Sequence, residues 1–371
     1  MTRSPALRAG WAGPAFLAVA ACGLGLLVDR RVFFACWLAA WWACASAVLG
    51  SQANLWLHDL SGGSWGVPLR PVWRSVVAAM PMLLALMLPL LAAAWTFYPW
   101  SQSGWQPDSR HPGFQAAWLS PAFVTVRLIA YAALWQLFAL LPTRRKGVSA
   151  AGLLIYAVTL SLAAVDLVQS LTPQWHSSGF GLLAIGMSMK LGFALGVAAA
   201  LCPASRHARA GASPMNLPPQ LGRDWGNLLL MYVLMWAYLG FVQFLIIWAE
   251  NLPPEIAWYV PRLQTGWVWL AVALVVGGFF LPLLLLLFRA FKQHRRALRI
   301  LALALCALGW LESVWITLPS VRGLGWHAVW MAPLILATMA FLLWRGAGLV
   351  QAAPPACRNP DGTPACKEGR L

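Results

Sequence analysis

Four ionisable residues sit inside long apolar runs of this 371-residue chain: Arg127, Asp166, Lys190 and Glu312. A charge near the middle of a bilayer costs at least ~2.5–3.5 kcal/mol on insertion scales, so each needs a partner or a task. Two chemistries fit. An Arg and an Asp can neutralise each other and only join two helices. Alternatively, a buried carboxylate beside a hydrophobic ligand can accept and pass on protons. A second polar group lies in "LWLHDLSGGSWG", where His58 and Asp59 are adjacent and a glycine turn follows. It reads either as a place where protons enter or as an ordinary helix end. His176 stands in the turn after Asp166, in "SLTPQWHSSGFG".

The elements that must position these groups are membrane helices. The chain is 61% hydrophobic and only 10% charged, whereas soluble domains carry about a quarter charged residues. Ten apolar runs are long enough to cross a ~30 Å hydrocarbon core. They are 10–28, 32–57, 72–95, 119–142, 150–171, 179–202, 225–249, 265–288, 297–317 and 327–346. The fold class expected is therefore an all-α membrane protein of about ten transmembrane helices. Residues 1–350 form one polytopic domain, and 351–371, with Cys357 and Cys366, read as a disordered cytoplasmic tail. Val19-Ala20-Ala21-Cys22 has the look of a lipoprotein cleavage box. The apolar run continues past it, which favours an uncleaved first helix.

The net charge of +16 points to topology and anionic head groups rather than nucleic acid. With the N-terminus in the cytoplasm, Lys and Arg concentrate in the cytoplasmic segments. The opposite loops hold only Arg30, Arg31, Arg110, Arg262 and Arg322. The positive-inside rule then puts both termini of this multi-pass chain in the cytoplasm. Most of the 24 tryptophans fall near helix ends, as an aromatic belt requires.

At ~1.5 Å rise per residue, Asp166 lies about 8 Å below the outer face, and Arg127 and Glu312 about 8–12 Å. That depth predicts one shared polar pocket of Arg127, Asp166 and Glu312, with Lys190 near mid-membrane and no partner evident. All six histidines fall at helix ends or in loops, which argues against a transmembrane haem. No Walker A, HExxH or GxSxG pattern is present, so no nucleotide, zinc or hydrolase chemistry is expected and no metal ligands are assigned.

Residues 221–255 read LGRDWGNLLLMYVLMWAYLGFVQFLIIWAENLPPE. The stretch resembles the NrfD-like membrane subunits of alternative complex III, the bacterial quinol:cytochrome c oxidoreductase, and is closest to the second of its two related ten-helix subunits. The matching residues are Asp224, Gly226, Asn227, Trp236, Ala237, Tyr238, Gln243, Ile246, Ile247, Trp248, Asn251, Pro254 and Glu255. His58 with Gly62, Gly63 and Trp65, and Asp166 with Ser170, Leu171, Pro173, Trp175, Phe180 and Gly181, match two further segments. Val242 and Lys190 depart from the pattern.

The resemblance implies two four-helix bundles plus flanking helices. It implies a quinol-type site or a proton path without a redox centre in this chain, and partners that carry haem c and iron–sulfur clusters. Arg127, Asp166, Glu312 and His176 would then serve one end of a proton path, and His58 and Asp59 the other. Two other roles compete: an accessory or assembly subunit of a terminal cytochrome oxidase, and, more weakly, a secondary transporter using Asp166 and Glu312.

Overall fold

The computed structural model describes residues 22–107, 112–141, 145–202, 218–321 and 323–352. No β-strand occurs among them, and nine helices are long and apolar enough to cross a membrane. The chain is an all-α, multi-pass membrane protein. We number the helices α1 (Arg30–Ser61), α2 (Arg70–Leu91), α3 (Pro121–Leu140), α4 (Lys146–Leu167), α5 (Phe180–Ala200), α6 (Pro219–Glu250), α7 (Trp267–Leu287), α8 (Arg295–Thr317) and α9 (His327–Ala352). Of the expected first span, only residues 22–28 are described, and they are helical. Residues 353–371 of the expected tail, including both its cysteines, lie outside the described residues.

Local chemistry sets the boundaries. Asp29 caps α1 by accepting from the Val32 amide at 3.0 Å, which satisfies one free N–H of the first turn. At its other end α6 stops where Asn251 enters the left-handed region (φ 50°), a conformation Asn tolerates better than most residues. The expected 72–95 span is not one helix. It is Arg70–Val77, Met80–Ala85 and Leu88–Phe97, each with a proline at its start (Pro71, Pro81, Pro89). Proline lacks the amide that would continue the preceding turn. In α7, residues Val276–Phe280 widen to a π-helical turn containing Gly277 and Gly278.

Helices α1 and α5 form the centre of the molecule. Their most apolar windows are 83% and 72% buried, against 22% for α6 and α7. What lets α1 and α5 meet is glycine. A methyl group on Gly50 would stand 1.8 Å from the Ser188 carbonyl oxygen, and one on Gly192 2.3 Å from the Gly50 carbonyl carbon. Small residues permit such backbone contact between membrane helices, where dispersion replaces the hydrophobic drive. Across the same seam Ser188 donates to the Ser46 carbonyl (3.0 Å), and Asn54 donates to the carbonyls of Gly50 (2.8 Å) and Met189 (3.0 Å). The Tyr232 hydroxyl of α6 closes on the Asn54 side-chain oxygen at 2.7 Å.

Candidate functional site

Three ion pairs form among the described residues, and each organises a different place. Two lie toward opposite ends of α4. At the Lys146 end, Asp59 in the last turn of α1 pairs with Arg70 of α2 and accepts from Ser149 at 3.2 Å. Arg70 also donates to His58 Nδ1 (3.1 Å). Since arginine has only donors, that nitrogen accepts, and Nε2–H donates to the Gly63 carbonyl at 3.0 Å. The two contacts fix the orientation of the ring. It is boxed in by Trp65, 5.0 Å away and edge-on, and by Gly66, where a methyl group would come within 2.1 Å of the imidazole.

At the other end of α4, Arg127 of α3 grips Asp166 in a two-point contact: Nε to Oδ2 at 3.0 Å and Nη2 to Oδ1 at 2.8 Å. The Tyr131 hydroxyl adds a third bond to Asp166 at 3.1 Å. The guanidinium lies 4.0 Å over Trp118 and 4.3 Å over Phe123, and donates to the Trp118 carbonyl at 3.0 Å. Asp166 is 1% exposed. A buried, two-pronged Arg–carboxylate pair of this kind is strong and geometrically exacting.

Glu312 does not join that pair. The shared pocket expected from depth resolves into two places, because Glu312 of α8 bonds instead to Lys190 of α5 (3.1 Å) and accepts from the Trp236 indole of α6. Lys190, which had no evident partner in the sequence, also lies 3.6 Å over the Trp236 ring. Depth alone was a poor guide here, since it fixes height in the bilayer and says nothing about which helices are neighbours. His176 is exposed, and Trp175 beside it is the residue that turns inward, stacking on Trp258 at 4.6 Å.

Glu312 forms part of the wall of a cavity of about 570 Å³ between α6, α7, α8 and the α6–α7 connection. Ligand sites commonly span ~300–1,000 Å³. The lining is almost wholly apolar and aromatic, including Tyr238, Phe241, Phe244, Trp258, Phe280 and Trp315. Tyr238, Phe241 and Phe280 are exposed on the outside of the bundle, so the cavity opens to where lipid would lie. Three lining residues carry a buried polar atom without a hydrogen-bond partner among the described residues: Gln243 Oε1, Trp258 Nε1 and Trp315 Nε1. The Gln243 amide donates to Tyr259 at 3.5 Å, and burial pushes the Tyr259 hydroxyl up to about 12. That phenol therefore stays neutral at physiological pH.

The back of the cavity is pinned by Arg262, which the sequence presented as an ordinary loop charge. It is fully buried and has no acid partner among the described residues. It donates to the carbonyls of Trp315 (3.1 Å), Ile316 (2.8 Å) and Trp258 and to Ser320 Oγ (2.8 Å), and stacks 3.6 Å over Trp258. Two of those carbonyls close the last turn of α8, the end that attracts a cation. Arg262→Lys would remove the planar fork and strand carbonyl groups at ~1–3 kcal/mol each. We expect a loss of about 2–3 kcal/mol in detergent-solubilised stability, read by thermal unfolding, with an unchanged value arguing against this anchoring.

The remaining motif residues have separate settings. Asn227 accepts from the Lys292 ammonium at 2.6 Å, tying α6 to the segment before α8, while Asp224 is partly exposed. Trp236 and Gln243 border the cavity, and Trp248 is 67% exposed. Among the described residues no group of three or more His, Cys, Asp or Glu could hold a metal.

No family model matches the chain, and no curated protein matches it.

Proposed function

We propose that the chain is a membrane subunit of a respiratory quinol:cytochrome c oxidoreductase-like complex, and that the cavity beside Glu312 receives the head group of a quinol. One observation carries this: an apolar cavity open toward lipid, with a carboxylate in its wall held by Lys190 and Trp236. A quinol reaches its site from the bilayer, needs an apolar sleeve for its tail, and needs hydrogen-bonding groups at its ring. Its oxidation releases two electrons and two protons. Glu312 takes the two protons in turn from the ring hydroxyls, passing the first on to water at the outer face before accepting the second, with Lys190 beside it offsetting the negative charge. The electrons pass to partner subunits carrying haem c and iron–sulfur clusters.

The Arg127–Asp166–Tyr131 and His58–Asp59–Arg70 groups then form the two ends of a proton path along α4. In this reading the chain lies in a bacterial inner membrane with both termini in the cytoplasm, and the Asp166 end faces out. The resemblance of Asp224, Asn227, Trp236, Tyr238, Gln243 and Trp248 to the alternative complex III pattern supports the choice of complex.

The test is purification from the native membrane in mild detergent, with mass spectrometry and a haem spectrum of the eluate. Stoichiometric haem c and iron–sulfur subunits are expected. Recovery with terminal oxidase subunits alone would assign the chain an accessory role there and sink the quinol reading.

A further inference from the structure

Midway along α4 and α1 lies a group of polar atoms that none of the three ion pairs uses. Gln52 is 1% exposed, yet neither its amide nitrogen nor its oxygen has a partner among the described residues. The same holds for Trp56 Nε1 and Tyr156 Oη. Ser188 lies near enough to the Tyr156 hydroxyl to bond it from one side while giving its own proton to the Ser46 carbonyl, so the phenol keeps room for one further partner. Gln52, Trp56 and Tyr156 all line one void of about 10 Å³, which Leu49, Trp135 and Gly152 also line. A single water needs about 10–15 Å³ by this measure and two to four polar partners. Leaving such atoms unbonded in a bilayer is costly. Size and chemistry both fit one water.

The position of the void matters. On α4 the polar residues Ser149, Tyr156, Thr159 and Asp166 are buried and fall at intervals of seven, three and seven. Seven residues is two turns with only ~20° of drift, so all four share one face. On α1, Gln52 stands two turns from Asp59, on the matching face. Asp59 already bonds to Ser149, and Trp135 donates to Thr159 at 2.9 Å one turn from the Tyr131 that bonds Asp166. The stripe therefore runs from one end group to the other, with the void at its middle.

We propose that Gln52, Trp56 and Tyr156 hold an internal water at mid-membrane, and that this water relays protons between the Asp59–Ser149 group and the Thr159–Asp166 group. A proton arriving on one side is taken up as the water gives another to the far side, so nothing is consumed. Seven residues rise about 10 Å, and the Tyr156 side chain, leaning toward the start of α4, covers part of the interval to Ser149. The inference rests on the two-ended path proposed above and supplies its missing centre.

Two measurements on the full chain test it. X-ray radiolytic footprinting in detergent marks residues that touch bound internal water. Trp56 and Tyr156 should label severalfold faster than Trp41 and Trp73, which are equally buried but donate to the carbonyls of Leu83 and Gly192. Equal labelling overturns the water site. In proteoliposomes loaded with a pH-sensitive dye, a potassium diffusion potential should drive proton uptake that falls severalfold in Gln52→Leu and in Tyr156→Phe. If both variants elute as folded protein and conduct like the parent while Asp166→Asn does not, the path stands and the relay is wrong. If none of the three alters uptake, the path itself fails.

Discussion

Replacing Asp166 by Leu is expected to destabilise the protein by about 3–5 kcal/mol, because it leaves the Arg127 guanidinium buried in an apolar setting without its counter-ion. The Trp118 carbonyl and the two flanking rings retain part of its surroundings but none of the neutralising charge. Arg127→Met should cost a similar amount from the other side. The double variant Arg127→Met/Asp166→Leu should recover most of the loss, since two apolar side chains leave no charge behind. Thermal unfolding of the purified protein, run as a double-mutant cycle, measures the coupling; singles that cost nothing would show the pair to be weak. The milder Asp166→Asn separates structure from proton chemistry. If membranes carrying it reduce cytochrome c with quinol at the parental rate and release the same number of protons, the pair only joins α3 to α4.

Glu312→Gln should lower quinol-dependent turnover by on the order of 10²-fold, the loss typical of removing a positioned proton acceptor. Gln keeps the length of the side chain, and its one carbonyl oxygen can still accept from either Trp236 or Lys190, so folding should survive. Glu312→Asp, which restores the carboxylate at shorter reach, should recover part of the rate. Lys190→Met should also slow turnover, through loss of the ammonium that is bonded to the carboxylate beside an apolar cavity. A Glu312→Gln variant with normal turnover, purified with the same proteins as the parent, would remove the carboxylate from the proposed reaction and leave the cavity as a lipid site.

These two carboxylates show where sequence reading succeeds and where it stops. The spans, the all-α class and the unusual standing of Arg127, Asp166, Lys190 and Glu312 were legible, because hydropathy and the cost of burying charge act locally along the chain. The breaks in α2 were not read, although Pro71, Pro81 and Pro89 act within their own turns, because hydropathy runs through them unchanged. The Arg127–Asp166 pair was within reach because α3 and α4 are consecutive and the two residues sit at like depth.

Nothing local, by contrast, joins Lys190 to Glu312, which are 122 residues apart. Only the packing of α5 against α6 and α8 brings them together, and the cavity exists only where α6, α7 and α8 stand apart above the α6–α7 connection. Arg262 and Gln52 make the same point. Each looked ordinary in sequence, one as a loop charge and one as a polar residue in a helix. Their burial, and with it their chemistry, was decided by the neighbours that tertiary structure placed around them.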